Sequence, residues 1–199
     1  MSRREPRRRS RVCFEQTGGV RLERLVSAIM ERPGPVRLVA VDGPGGAGKS
    51  TFAARLSLAC GNVPVIHTDD FASADNPIHW WPRLLEQVVE PLSRHEPARY
   101  QRYDWATTSL AEWHIVEPAP VVIIEGVTAG RCEWRGHLTF VIWIDTPADL
   151  RLERALARDG SEAIGDWRVG MAAEDDHYAD DPTREHADVV IDGTAPTDG

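Results

Sequence analysis

The run Gly43–Pro44–Gly45–Gly46–Ala47–Gly48–Lys49–Ser50 constrains this chain more than any other part of it. It follows Arg37 to Asp42 (RLVAVD), an apolar and β-branched stretch with strand character, and it leads into Lys49 to Cys60, which reads as a helix closed by Gly61. Gly-x-x-x-x-Gly-Lys-Ser in a strand–loop–helix context is a P-loop. Glycines leave backbone N–H groups free to curl around phosphate oxygens, and the amino end of the following helix adds its partial positive charge. Gly43, Gly45, Gly46, Ala47, Gly48, Lys49, Ser50 and Thr51 are therefore the expected nucleotide-binding residues. Lys49 is expected to reach the β- and γ-phosphates, and Ser50 to offer its hydroxyl to Mg²⁺, an ion that selects hard oxygen ligands.

The remaining pattern is alternating. Apolar residues at 22, 25, 26, 29 and 30 predict a helix within Val20 to Arg32, ended by Pro33–Gly34–Pro35. Continuous apolar runs at Val63–His67, Val121–Glu125, Thr139–Asp145 and Ala187–Asp192 predict strands buried on both faces. Helical patterns lie between them, at Trp81 to Ser93 and at Pro147 to Asp159, the latter with Asp145 or Thr146 as its cap. Strand alternating with helix implies a parallel sheet covered on both faces.

Two acidic segments stand at strand ends, where open α/β sheets bind ligands. His67–Thr68–Asp69–Asp70–Phe71 follows one strand, and Glu125–Gly126 ends another. A carboxylate after the first strand can accept the proton of an attacking hydroxyl or hold a metal-bound water, or it can simply cap the next segment. Glu125 is the expected Walker-B-type acid, completing with Ser50 and Asp69 the metal-associated set. The acid-rich stretch Glu174–Asp175–Asp176 and Asp180–Asp181 matches no EF-hand spacing and reads as a solvated lid or helix face. The histidines lack metal-ligand spacing.

Composition narrows the class of partner. A formal net charge of -8 argues against a general nucleic-acid binder, and the only basic concentration is Arg3, Arg4, Arg7, Arg8, Arg9 and Arg11. That arm, residues 1–19, is expected to be flexible and solvated, with residues 20–199 forming a single domain. Cys13, Cys60 and Cys132 show no pairing pattern, which fits a reducing cytoplasm, and no apolar run approaches the ~20 residues needed to cross a bilayer.

With these segments in place, the chain resembles the uridine–cytidine kinase branch of the P-loop kinases, from about residue 36 to 194. Asp69–Asp70–Phe71 is similar to the family's Asp-Ser-Phe, Asp75–Asn76–Pro77 to its Asp-His-Pro, and Tyr103–Asp104–Trp105 to its Tyr-Asp-Phe. Ile124–Glu125–Gly126 follows, then Asp145–Thr146–Pro147–Ala148–Asp149 leading into Arg151, Arg154 and Arg158–Asp159, and finally Ala187–Asp188–Val189–Val190–Ile191. The resemblance implies a three-layer α/β/α P-loop kinase with a mostly parallel five-stranded sheet, ordered 2-3-1-4-5, and a short helical lid at about 159–181. It implies Mg²⁺ and ATP, with GTP as the alternative donor, and a nucleoside as acceptor. By the same resemblance Asp69 is the general base for a 5′-hydroxyl and Asp75 a sugar-hydroxyl ligand. Phe71, Tyr103 and Trp105 belong to the acceptor site, with Tyr103 and Trp105 flanking the base. Arg151 and Arg154 serve the acceptor and phosphates, and Arg158 serves the nucleotide.

This sequence also departs from the family. Thr108 stands where the family carries a base-contacting histidine, and the lid supplies no arginine between Arg158 and Arg168. His79–Trp80–Trp81 puts large aromatics near the acceptor, to stack on it or to pack the core. Three readings remain open: a nucleoside kinase, a kinase of another small alcohol such as an antibiotic, sugar or vitamin-like molecule, and a nucleotide-binding regulatory protein without transfer activity. A homo-oligomer is compatible with each.

Overall fold

Five short parallel strands carry nearly all of the chain's continuous apolar runs: β1 (Arg37–Asp42), β2 (Val65–His67), β5 (Val121–Glu125), β6 (Phe140–Asp145) and β7 (Val189–Asp192). In this computed structural model, which describes residues 22–73, 75–76 and 78–194, they form one sheet in the order β2-β5-β1-β6-β7. Counting only the sheet's own strands, that is the expected order 2-3-1-4-5. The arginine arm expected at 1–19, Cys13 and Pro77 lie outside the described residues.

Side-chain alternation along the strands feeds two cores. Leu38 and Ala40 of β1 point to one face with Val122, Ile124 and Val141, and are covered by Phe71, Trp80, Leu84, Val88 and Trp134. Val39 and Val41 point to the other face with Ile123, Ile142 and Ile144, covered by Leu25 and Ile29 of α1 (Leu22–Met30) and by Ala53 and Leu56 of α2 (Lys49–Ala59). Each large side chain so buried contributes about 1.5–3 kcal/mol. The result is the three-layer α/β/α arrangement that strand–helix alternation implies.

Three local features differ from the sequence expectation. The helix expected over Trp81 to Ser93 is a run of α3 (Trp81–Leu84), a widened π-helical turn (Leu85–Val89) and α4 (Glu90–Ser93). Pro91 has no N–H for the Gln87 carbonyl and its ring crowds that group, so the turn opens. Second, β3 (Ala98–Asp104) and β4 (Ser109–Val116) form an antiparallel hairpin that no apolar run announces. It is held by cross-strand pairs of polar and aromatic side chains: Arg102 with Glu112, Tyr100 stacked on His114, and Arg99 over Trp113. Third, α6 (Ala148–Asp159) starts on Pro147 without a side-chain cap. Thr146 instead donates to the Ala47 carbonyl at 3.0 Å, and Asp145 pairs with Arg184.

Beyond Gly160 the lid is helical as expected. A 3₁₀ turn (Ser161–Ala163) leads into α7 (Ile164–Asp180), whose carboxyl end is docked on the body near the short helix α5 (Cys132–Arg135). The last short helix, α8 (Thr183–His186), then feeds β7.

Two glycines of the loop after β1 are dictated by close approach. Gly43 has φ +145° and a β-carbon there would stand 2.6 Å from the Ile144 carbonyl oxygen, while at Gly46, φ +76°, it would stand 2.5 Å from that of Arg151. We expect Gly43→Ala to cost roughly 2 kcal/mol or more, lowering the melting temperature by about 4–8 °C in a nucleotide-free thermal scan. An unchanged melting point would mean that the β1–β6 edge yields more easily than its packing indicates.

Candidate active site

The loop from Gly43 to Ser50 is fastened from below. Asp42, the last residue of β1, is fully buried, and its Oδ1 accepts from Gly43 N at 2.6 Å and from the Tyr178 hydroxyl of α7 at 2.8 Å. Its Oδ2 accepts from Gly130 N at 2.8 Å, so one carboxylate joins the loop, the segment after β5 and the lid helix. Burial pushes the Asp42 carboxyl above its ordinary range, against the pull of these donors and of Lys49. Lys49 is itself buried, and its Nζ donates to the Pro44 carbonyl at 2.9 Å across the loop. Ala47 is buried, Ser50 is exposed, and Thr51 is exposed in the first turn of α2.

Beside this cradle lies a set of hard oxygen donors. Parallel pairing aligns Glu125 with Val41 on one side and His67 on the other, which brings its carboxylate to Ser50. Ser50 Oγ donates to Glu125 Oε1 at 3.1 Å, and His67 Nδ1 lies 2.5 Å from the same oxygen. Glu125 Oε2 is buried and has no partner among the described residues. An orphaned buried carboxylate oxygen next to a hydroxyl fits a Mg²⁺ site, since such a group is costly unless an ion or water meets it. The Glu125 carboxylate in turn pushes the His67 imidazole up, with Asp70 and Asp69 adding to the effect.

Asp69 and Asp70 sit in a 3₁₀ turn (Thr68–Asp70) at the carboxyl end of β2, and they are not equivalent. Asp70 accepts a hydrogen bond from the Tyr100 hydroxyl of the hairpin at 3.0 Å. Asp69 opens to solvent at its tip while the surrounding protein crowds it. Burial pushes its carboxyl up, Lys49 pulls it down, and Glu125 pushes it up again. Next to this turn is an open cleft of about 340 Å³ lined by Phe71, Ser73, Asn76, His79, Trp80, Pro82, Arg83, Tyr103 and Leu110. Tyr103 and Phe71, two of the residues expected at the acceptor site, are among those that line this cleft. Trp105 meets Tyr103 edge-on at 5.4 Å and donates to the Asp69 carbonyl, outside the lining, and Asp75 is exposed while its neighbour Asn76 lines the cleft.

The arginines of α6 divide by depth. Arg151, expected toward the acceptor, is buried against the loop itself: Nη1 reaches the Gly45 carbonyl at 3.4 Å and Glu174 at 3.7 Å. Arg154 is half-buried and donates to the Gly193 carbonyl at 2.9 Å, and Arg158 is exposed, paired with Asp159 and set over the Trp167 ring. The acid-rich lid stretch does not behave as a uniformly solvated face. Glu174 is buried on the loop, and Asp181 is buried in an ion pair with Arg135, whereas Asp175, Asp176 and Asp180 are exposed. Cys132, Glu133 and Asp181 converge, but Glu133 is held by both arms of Arg131 and Asp181 by Arg135 and the Cys132 N–H, so these acids are already committed. Sequence reasoning missed the roles of Asp42, Tyr178 and Glu174. The signal was present: Trp167, Met171, Glu174 and Tyr178 recur at heptad spacing, an inward stripe on an otherwise polar helix.

A P-loop at the carboxyl edge of a 2-3-1-4-5 sheet, with the Ser50 hydroxyl and Glu125 carboxylate beside it and a helix docked against it, defines a P-loop nucleotide-binding protein. Residues 39–180 match the family model described as AAA domain, and the chain belongs to that family. Within it, the chain is a P-loop kinase similar to uridine kinases. It is 26% identical over 176 residues to a uridine kinase of Borreliella burgdorferi (strain ZS7), covering 78% of this chain and 85% of the relative. It is 29% identical over 125 residues to a uridine kinase of Bacillus pumilus (strain SAFR-032), covering 59% and 60% respectively. Among solved structures, a possible uridine kinase from Bacillus stearothermophilus superposes with a TM-score of 0.65 at 23% identity, over 86% of this chain and 97% of the other. A protein assigned as a fructose transport system kinase from Silicibacter sp. TM1040 gives 0.60 at 22% identity, over 86% and 99%. At these identities the two structures establish the shared fold.

The metal corner can be tested through binding. We expect Ser50→Ala and Glu125→Gln each to raise the Mg²⁺ concentration needed for half-maximal stabilisation of ADP binding, with partial rescue by excess metal. A titration that is unchanged in both variants removes these residues from metal binding.

Proposed function

We propose that this kinase transfers the γ-phosphoryl group of Mg·ATP to a hydroxyl of a small molecule, with a nucleoside as the first acceptor to test. The observation that carries the reading is the difference between two adjacent acids. Asp70 is engaged by Tyr100, whereas Asp69 remains open between the Lys49 charge and a turn whose next apolar residue, Phe71, lines the cleft. A carboxylate left free there suits a general base, and its upward-shifted affinity for protons makes it a better one.

In this reading the acceptor lies in the aromatic cleft with its hydroxyl toward Asp69. The carboxylate takes the hydroxyl proton as the acceptor oxygen bonds to the γ-phosphorus, and the bond from that phosphorus to the β,γ-bridging oxygen breaks in line. Lys49 and the loop N–H groups hold the phosphate oxygens, and Arg154 is the α6 arginine free enough to swing toward the transferred group. Ser50 and Glu125 would hold Mg²⁺, which supplies neutralisation of phosphate charge when bound. Most of the rate would come from positioning and fixed charge.

A second acceptor class has its own support. Thr108 occupies the hairpin turn with φ +50°, in place of the histidine of the resembled family, and the cleft lining includes Ser73, Asn76, His79 and Arg83 beside Tyr103 as polar groups. A sugar or other polyol could meet such a set. An ATP-consumption screen across nucleosides, sugars and other small alcohols separates the two classes. Tight ATP binding with no turnover on any acceptor would instead favour a regulatory nucleotide binder.

With an accepted substrate in hand, we expect Asp69→Asn to lower kcat by about a hundredfold to ten-thousandfold with little change in ATP affinity, and Asp70→Asn to be milder. Near-normal kcat in Asp69→Asn with collapse in Asp70→Asn would transfer the base role to the neighbouring residue. Lys49→Ala should abolish turnover in protein that circular dichroism shows to be folded, and substantial residual turnover would overturn phosphoryl transfer at this loop.

A further inference from the structure

The phosphate cradle already holds an anion of its own. Gly45 N donates to Glu174 Oε2 at 2.9 Å, and the side chain that supplies this oxygen belongs to the lid helix, 129 residues further along the chain. Contact is so close that a β-carbon on Gly45 would stand 2.9 Å from Glu174 Oε1 and 2.8 Å from the Trp167 ring. Arg151 Nη1 lies 3.7 Å from the same carboxylate, with side chains 6% and 11% exposed. Burial pushes the Glu174 carboxyl up, while the Gly45 N–H, Lys49 and Arg151 favour its charged form and Asp175 opposes it. The loop N–H that Glu174 occupies, the Lys49 charge and a buried arginine are the groups a phosphate would use.

We infer that Glu174 is a resident competitor for the nucleotide phosphates: it occupies and neutralises the cradle in the empty protein, and a bound polyphosphate displaces it together with the Trp167 end of the lid. Two negative groups cannot share one N–H and one low-dielectric pocket without repulsion, so occupancy is exclusive. The mechanics of the lid fit such an exchange. One turn after Glu174, Tyr178 is anchored by donating to Asp42 and accepting from Thr128 N, and Asp181 is anchored by Arg135 and Cys132 N. The opposite end is lightly held: Trp167 donates to Asp159, and Ile164 and Val169 are exposed. The carboxyl end of α7 is a pivot, and the rest of the helix swings from it.

This inference rests on the loop being a nucleotide-phosphate cradle. It makes Glu174 a residue that sets nucleotide affinity, since a ligand that must first expel a group binds more weakly by the fraction of time the site is blocked. It also couples filling of the cradle to release of the lid, a differential interaction of the kind a conformational change requires.

The test is the affinity of Mg·ADP, read by calorimetry, for the full chain and for Glu174→Gln. Gln keeps the size and an acceptor oxygen for Gly45 N–H and removes only the charge. Glu174→Asp, which retains the charge and shortens the reach, guards against a folding defect in the first variant, and melting temperatures check both. We expect the dissociation constant of Glu174→Gln to fall at least about fivefold, the lower end of ordinary coupling between sites, and that of Glu174→Asp to fall in the same direction. Unchanged or weaker binding in both folded variants would overturn the inference and make Glu174 a support for Arg151. Binding that is absent in the parent and in both variants would overturn the cradle reading itself, and the inference with it.

Discussion

The carboxylate of Asp42 is the point from which the rest of the site hangs. It is buried at the end of the central strand, and burial alone would make its charge expensive, so it persists only because three donors converge on it. Those donors belong to the phosphate loop, the segment after β5 and the lid helix, which have nothing else in common. The geometry of the cradle, the placement of the loop that follows the metal-corner acid and the pivot of the lid are thereby referred to one atom pair. Removing a single donor would leave the others to hold a buried charge with fewer bonds, a loss felt in all three segments at once.

Electrostatics in this corner are unbalanced by design of the fold rather than by any single residue. Asp42, Asp69 and Glu174 all feel the Lys49 charge, and burial pushes all three upward in their affinity for protons, with Glu125 adding to the effect on Asp69 and Asp175 to that on Glu174. Parallel strands end together, so acids placed at strand ends are brought together whatever their separation in sequence. The Glu125 oxygen that has no partner among the described residues lies within this acidic group, and a divalent cation there would relieve it without burying a further protein cation.

Much of this was legible in the residues because short continuous apolar runs bounded by turn residues point to buried strands, and glycines at fixed offsets from Lys49, between a strand and a helix, point to a phosphate-binding loop. Five strands, their order and the position of Glu125 beside Ser50 follow from those two signals and the family resemblance. What was not legible lacks such a signal. The β3–β4 hairpin has no apolar run, because its outer face is wet and its strands are held by pairs such as Arg102 with Glu112, which only pairing reveals. Glu174 looked solvated because Asp175 and Asp176 follow it, and one helical turn points the first of three acids inward and the next two out. Thr146 resembled a cap by position, yet its hydroxyl was claimed by the Ala47 carbonyl across the sheet edge. Composition cannot report which of two partners a hydroxyl selects.

The hairpin is anchored unevenly. At its base Ala98 and Tyr100 are buried in the core, while from Tyr103 to Leu110 the chain is half-buried or exposed and returns on the strained Thr108. Apart from Trp105, which donates to the Asp69 carbonyl, substitutions in that outer half therefore remove little buried surface and leave the sheet and the phosphate loop untouched. Yet Tyr103 and Leu110 form part of the cleft wall, so the same substitutions reshape what the cleft admits. The cleft wall can thus be altered at the hairpin tip with little loss of stability, whereas the loop after β1 is tied through Asp42 to three segments at once.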